Sequence, residues 1–166
     1  MLSSIPITFT LNGQRRTVEA PPEQCAGDLL RDGLGLTGTK LDCREGECGS
    51  CTVIFNGEPA CSCLMTAAQL EGAEVITVEG VGAPGTPHAV QRGFVLEGAV
   101  QCGHCIPGMI VSAVSLLERN PAPSEDEIRY AIAGNICRCT GYAKIVSAIQ
   151  RAAEILAGEQ APAAVR

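Results

Sequence analysis

The sequence has no tryptophan, two tyrosines and three phenylalanines among its 166 residues. Large aromatic side chains are therefore too few to build cores around, and two small domains made from this chain need support from elsewhere. No apolar run approaches the roughly 20 residues that a bilayer-spanning helix requires, which excludes a membrane span. Lys and Arg form no cluster and the net charge is −6; without a basic face, nucleic acid is excluded and a protein partner is expected. The opening "MLSSIPITFTLNGQRR" lacks a basic segment followed by an apolar core and a small-residue cleavage site. No secretory or twin-arginine signal is read there, and the expected compartment is the cytoplasm. With 46% hydrophobic and 18% charged residues, the composition is that of a soluble globular protein.

Against these absences stand ten cysteines. In a reducing cytoplasm such a density points to metal or redox chemistry rather than to a disulfide framework. Five of the ten fall in "CREGECGSCTVIFNGEPACSC", from Cys43 to Cys63.

The first half reads as a small, partly antiparallel sheet with one helix. "IPITFTL" alternates as a strand, Asn12-Gly13 is a two-residue hairpin turn, and "RRTVEA" returns. "GDLLRDGLGL" predicts a short helix with Leu29 and Leu30 inward. "CTVIFNGEPACSCL" repeats strand, Asn56-Gly57 turn and strand, and "EVITVEG" adds another strand. Between Thr39 and Ser50 lies a loop rich in glycine and cysteine. "GVGAPGTP" reads as a linker, with the expected division at 1–79, linker 80–87 and a helical part 88–157. Thr86-Pro87 is the expected cap of the next helix, which stops at Gly98. Pro107 starts another, with Met109, Ile110, Ala113, Leu116 and Leu117 on one face. Ser124 and Glu127 form a capping box before a helix that Gly134 terminates. Ile145, Ile149, Ala152, Ala153 and Leu156 mark a last amphipathic helix. Residues 158–166 are the expected disordered tail. The fold class is α+β, a small sheet followed by a four-helix bundle.

Cys43, Cys48 and Cys51 have the spacing C-x4-C-x2-C, the arrangement of plant-type [2Fe-2S] sites, with a later cysteine as fourth ligand. Gly46 and Gly49 between them allow backbone amides to approach sulfur closely. Cys61 and Cys63 are both candidates for the fourth position, since two residues apart on a strand they share a face. A four-cysteine zinc site is the bland alternative. Further on, "QCGHC" supplies Cys102 and Cys105 and "NICRC" supplies Cys137 and Cys139, each pair at an expected helix boundary. If the helices lie side by side, the pairs meet at one end of the bundle and surround a second cluster; read alone, they also suit zinc. Covalent haem is disfavoured because Ile106, not histidine, follows Cys105. Eight ligands leave Cys25 and one of Cys61 or Cys63, and a spare buried cysteine behaves as a small hydrophobe. His104 between two ligands is read as an ordinary polar side chain, with a hydrogen bond to sulfur or a Rieske-type ligand role as the sharper alternatives. His88 is read as a surface residue.

With "CREGECGSC", "SC" at Ser62-Cys63, "GAVQCGHCIPGM" and "GNICRCTGY" in this order, the chain resembles, from about Ile5 to Leu156, the small iron-sulfur subunit of the xanthine oxidase family of molybdenum hydroxylases. The resemblance implies an N-terminal β-grasp ferredoxin-like domain and a four-helix domain, each with one [2Fe-2S] cluster. It aligns Cys63 as fourth ligand beside Cys43, Cys48 and Cys51, and leaves Cys61 spare. It places the cluster of Cys102, Cys105, Cys137 and Cys139 next to the molybdopterin of a large subunit, with Gln101 and Cys139 contacting that pterin. The other cluster lies toward a medium subunit that carries FAD, in a dimer of heterotrimers. The implied role is electron relay from molybdenum to flavin, one electron at a time, with no catalytic residue on this chain. His104, commonly aromatic in the family, and Ile106, commonly threonine, depart from its pattern without removing a ligand. The rival expectations are a flavin-free two-subunit enzyme of the same kind, a free-standing ferredoxin and a structural zinc protein.

Overall fold

The amino-terminal hairpin forms as the sequence predicts: Ile5–Leu11 (β1) and Gln14–Ala20 (β2) pair antiparallel, from Leu11 opposite Gln14 back to Ile5 opposite Ala20. Asn12 and Gly13 have φ of 50° and 76°, the two positive values that a type I′ turn demands. Asn12 also ties the turn to the far end of the sheet. Its Oδ1 accepts from the Thr77 amide at 2.9 Å and its Nδ2 donates to Thr77 Oγ1 at 3.1 Å. The computed structural model describes residues 3–83 and 85–160.

Ala26–Asp28 (α1) is a single turn that widens into a π-type turn over Leu29–Gly33, with Leu29 and Leu30 buried as expected. Thr52–Phe55 (β3), Glu58–Cys61 (β4) and Glu74–Ile76 (β5) complete a mixed sheet of order β2-β1-β5-β3-β4, in which β1 and β5 run parallel. Alternation along β1 buries Ile7, Phe9 and Leu11 on one face, where they meet Leu30, Val53, Leu70 and Val75. Strand geometry does not reach Cys63: β4 ends at Cys61 and Ser62–Leu64 is a 3₁₀ turn. The strand argument for Cys61 and Cys63 therefore fails at the second of them.

Among the described residues, four α-helices follow. Ala89–Leu96 (α2) is capped by His88 rather than by Thr86-Pro87, because His88 Nδ1 accepts from the Val90 amide at 3.2 Å while Gln91 Oε1 accepts from the His88 amide at 2.9 Å. The helix stops at Leu96, short of Gly98. Ile106–Arg119 (α3) has Pro107 in its first turn, where the missing amide costs nothing. The Ser124–Glu127 capping box starts Glu125–Ala131 (α4) as read, and that helix ends before Gly134. Ala143–Gln160 (α5) runs through residues 158–160 of the expected tail; 161–166 lie outside the described residues.

The helices and the sheet share a second apolar core, in which Phe94, Met109, Ile128, Ile145 and Ile149 are almost fully enclosed together with Ile54 of β3. Each such side chain contributes about 1.5–3 kcal/mol on burial. Glycine sets the closest approach, since a Cβ at Gly93 of α2 would overlap the Ala148 carbonyl of α5. Among the described residues, no helix is long and apolar enough to cross a membrane.

Candidate metal centres

The loop from Thr39 to Ser50 places the first thiols. Arg44 has φ of 59°, unusual for a residue with a side chain, and its guanidinium holds both oxygens of Asp28 at 2.8 Å. That hydrogen bonding keeps the Asp28 carboxyl below its ordinary range. Gly46 and Gly49, at φ of 78° and 67°, let the loop fold back on itself. The amides of Glu45 and Cys48 then both point at Cys43 Sγ, each at 3.4 Å. Two donors aimed at one sulfur favour its thiolate and bring Cys43 down to about 7.

Cys48 Sγ lies 3.2 Å from Ser50 Oγ. Cys51 is buried and its thiol meets both Cys61 and Cys63; the contact with Cys61, then burial, pushes it up. Cys63 rises to about 12 through burial and the Cys51 contact, opposed by the Gly46 amide, which points at its sulfur. Cys61 meets the other end of the same residue: its Sγ–H donates to the Gly46 carbonyl at 3.7 Å. Cys25 likewise donates to carbonyls, those of Ser62 and Cys63, each at 3.7 Å.

The second set gathers where α3 begins. Cys105 caps α3 and is buried, with burial first and Cys137 second pushing its thiol up to about 12. Burial opposes the thiolate at Cys137 as well. There the Thr140 hydroxyl at 3.0 Å, with the amides of Thr140 and Cys139, outweighs it and holds the thiol below its ordinary value. Cys102 Sγ and Cys139 Sγ sit 3.5 Å apart, both exposed, next to an exposed Gln101. Four thiols thus form two pairs, Cys102 with Cys139 at the surface and Cys105 with Cys137 beneath. His104 Nε2 lies 4.0 Å from Asp42, and Ile106 is buried as the first residue of α3.

Among the described residues, no three Cys, His, Asp or Glu side chains are arranged to hold a single metal ion. A two-iron unit asks for something different, two thiolates on each iron, and paired thiols with amide and hydroxyl donors on the sulfurs fit that demand. The first site offers Cys43 with Cys48, and Cys51 with Cys61 or Cys63.

Several supporting residues carry no signal of their own in the sequence. Buried Ser62 pins the 3₁₀ turn by donating to the Cys51 carbonyl at 2.8 Å. Tyr142, at φ of 68°, receives the Cys137 amide on its hydroxyl at 2.8 Å. Asn135, only 3% exposed, sits between the two loops. All stand beside the cysteine motifs, but only the thiols announce a chemistry by residue type.

The 2Fe-2S iron-sulfur cluster binding domain family matches residues 9–78, and the [2Fe-2S] binding domain family matches residues 77–150. The chain is 49% identical over 153 residues to the nicotinate dehydrogenase small FeS subunit of Eubacterium barkeri, covering 92% of this chain and 98% of that one. The crystal structure of quinoline 2-oxidoreductase from Pseudomonas putida 86 superposes with a TM-score of 0.90 at 43% identity, over 96% of this chain and 99% of the matched one. The aldehyde oxidoreductase from Desulfovibrio desulfuricans ATCC 27774 gives a TM-score of 0.90 at 43% identity over 93% of this chain, but only 17% of its own longer chain. With two iron-sulfur domains in tandem and a relative matched almost end to end, the chain belongs to the small [2Fe-2S] subunits of the xanthine oxidase family of molybdenum hydroxylases, the iron-sulfur part of an oxidoreductase whose substrate site lies on other subunits.

Proposed function

We propose that this chain relays single electrons from a molybdopterin on a large subunit, through its two [2Fe-2S] clusters, to FAD on a medium subunit. The observation that carries the reading is the asymmetry of the second site. Cys105 and Cys137 are 6% and 8% exposed, whereas Cys102 and Cys139 lie open at the surface beside Gln101. Val100 and Ile136 next to them are exposed apolar residues, 46% and 54% accessible, a composition that suits a covered interface more than free solvent. The large subunit docks on that edge, with Gln101 and Cys139 toward the pterin.

The proximal ligands are Cys102, Cys105, Cys137 and Cys139, and the distal ligands Cys43, Cys48, Cys51 and Cys63. Cys63 is taken as the fourth distal ligand because the family motif aligns it there and the 3₁₀ turn of Ser62–Leu64 sets it apart from the strand that ends at Cys61. The Cys51 contact holds the Cys61 thiol below its ordinary value while burial pushes Cys63 up, so iron at Cys63 displaces a firmly held proton. When bound, the clusters supply one-electron storage; the chain's own residues hold them, aim hydrogen bonds at their sulfurs and shield the inner pair from water. The domain reading is a β-grasp unit at 1–79, a linker at 80–87 and a four-helix unit at 88–157, with the tail beyond. The complex is a cytoplasmic dimer of heterotrimers.

Native purification through this chain tests the proposal, with mass spectrometry of the co-purifying chains and molybdenum and flavin assays on the same sample. A molybdenum subunit together with a flavin subunit is the expected result. Molybdenum without flavin replaces the relay to FAD by a two-subunit enzyme, and a chain that comes out alone with its iron overturns the proposal in favour of a free ferredoxin.

A further inference from the structure

Among the described residues, one backbone hydrogen bond joins the two thiol sites: the Ile136 amide donates to the Cys48 carbonyl at 2.9 Å. Cys48 belongs to the first set of thiols, and Ile136 is bonded to Cys137 of the second. A continuous line of covalent bonds therefore leads from the Cys48 sulfur to its carbonyl, crosses one hydrogen bond, and continues through Ile136 to the Cys137 sulfur. Electron tunnelling decays least along covalent bonds, more across a hydrogen bond, and most across a gap.

The surroundings hold that one hydrogen bond with unusual thoroughness. Asn135 Nδ2 donates to the Gly49 carbonyl at 2.9 Å and to Thr52 Oγ1 at 3.3 Å, and Asn135 Oδ1 accepts from Ser112 Oγ at 2.7 Å. Thr52 Oγ1 donates in turn to the Gly49 carbonyl at 2.7 Å. One buried amide thus joins the first thiol loop, the start of β3 and the middle of α3, with every polar atom used. On the other side, Tyr142 receives the Cys137 amide, and its own hydroxyl lies 3.4 Å from the Asn135 carbonyl. The loops also lie as close as glycine alone allows: a Cβ at Gly49 would overlap the Gly134 carbonyl, and one at Gly108 of α3 would overlap the Gly49 carbonyl.

We infer that the Cys48 carbonyl–Ile136 amide hydrogen bond is the conduit for the electron between the two cluster sites, and that Asn135 is the positioning residue that sets it. One electron leaves the second site, which is oxidised by one unit, and arrives at the first, which is reduced by one; no bond is made or broken and no proton moves. The Asn135–Gly49 hydrogen bond also joins the loops, but it reaches Cys137 only through the added bonds of the Asn135 side chain; the link of His104 with Asp42 at 4.0 Å is a poorer competitor. Its side chains are 49% and 68% exposed, and such a pair is loosely held and screened. The inference rests on the proposed assignment of Cys48 and Cys137 as cluster ligands.

The test uses the native complex carrying Ile136→Pro, which removes the donor, or Asn135→Ala, which removes the clamp; the second variant decides if the first does not assemble. One electron per complex is injected photochemically, and the two cluster signals are followed by freeze-quench EPR, with their magnetic splitting measured in the fully reduced sample. The expected result is both cluster signals at native g values, transfer between them slowed about tenfold or more, and a smaller splitting. Transfer within about twofold of the native rate, with both signals intact, overturns the conduit. Two unaltered cluster signals in Cys48→Ser or Cys137→Ser complexes would instead remove the ligand assignment beneath it.

Discussion

Cys61 and Cys63 both meet Cys51, with opposite results: that contact holds Cys61 below its ordinary value, while burial first and its own contact with Cys51 second push Cys63 up. With Cys63 aligned as the fourth ligand, the Cys63→Ser complex is expected to lose the distal EPR signal and keep the proximal one, while Cys61→Ser keeps both. The opposite pattern would show that the fourth ligand is Cys61. Residue type alone did not separate the two positions, because the strand that would have given them a common face stops at Cys61. The deciding feature, the 3₁₀ turn pinned by Ser62, depends on a buried hydroxyl that looks like any other serine in the sequence.

The helix caps divide in the same way between what pattern reveals and what it hides. Ser124 and Glu127 follow a familiar spacing and form the box that the sequence predicts. His88 does the same work for α2 without the residue type that would advertise it. Burial lowers the His88 pKa, with Glu118 and Glu159 opposing and Arg92 assisting, and only the neutral ring can accept the Val90 amide. An unfolded histidine takes up a proton below about pH 6.5, which the folded one resists, so the unfolded state binds more protons there. This contribution to stability is present above pH 6.5 and is lost as pH falls below it. Asp28 and Glu127, held low by Arg44 and Ser124, lose theirs only under about pH 4. Denaturant unfolding of the iron-loaded protein is thus expected to show a decline as pH falls below about 6.5, which His88→Asn abolishes while keeping a cap. His88→Ala should cost about 1 kcal/mol at pH 7.5. A decline that persists in His88→Asn would assign it to another group. Hairpins, the short helix and the cysteine spacings were legible because glycine, asparagine and thiols act through local geometry. The cap of α2 and the Asn135 contacts were not, because they arise from packing between distant segments.

Two cores share one chain and meet across Gly49, Asn135 and the start of β3. Iron that binds the folded thiols and not the unfolded ones stabilises both halves by mass action. Stripping it with a chelator under anaerobic conditions should lower the melting temperature by more than about 5 °C, with sheet and helix signals moving together; separate transitions would show that the halves unfold independently. The same topology bears on how the protein is made. Strand β5 lies between β1 and β3, with Thr10 beside Glu74, so the sheet closes only after Glu74–Ile76 have left the ribosome, and pairings so distant in sequence form slowly. By then Cys43, Cys48, Cys51, Cys61 and Cys63 have all emerged. Segment 135–137, which buttresses their loop, arrives later still. The loop that carries the first thiols therefore gains its last support only once the chain has been made as far as the second set.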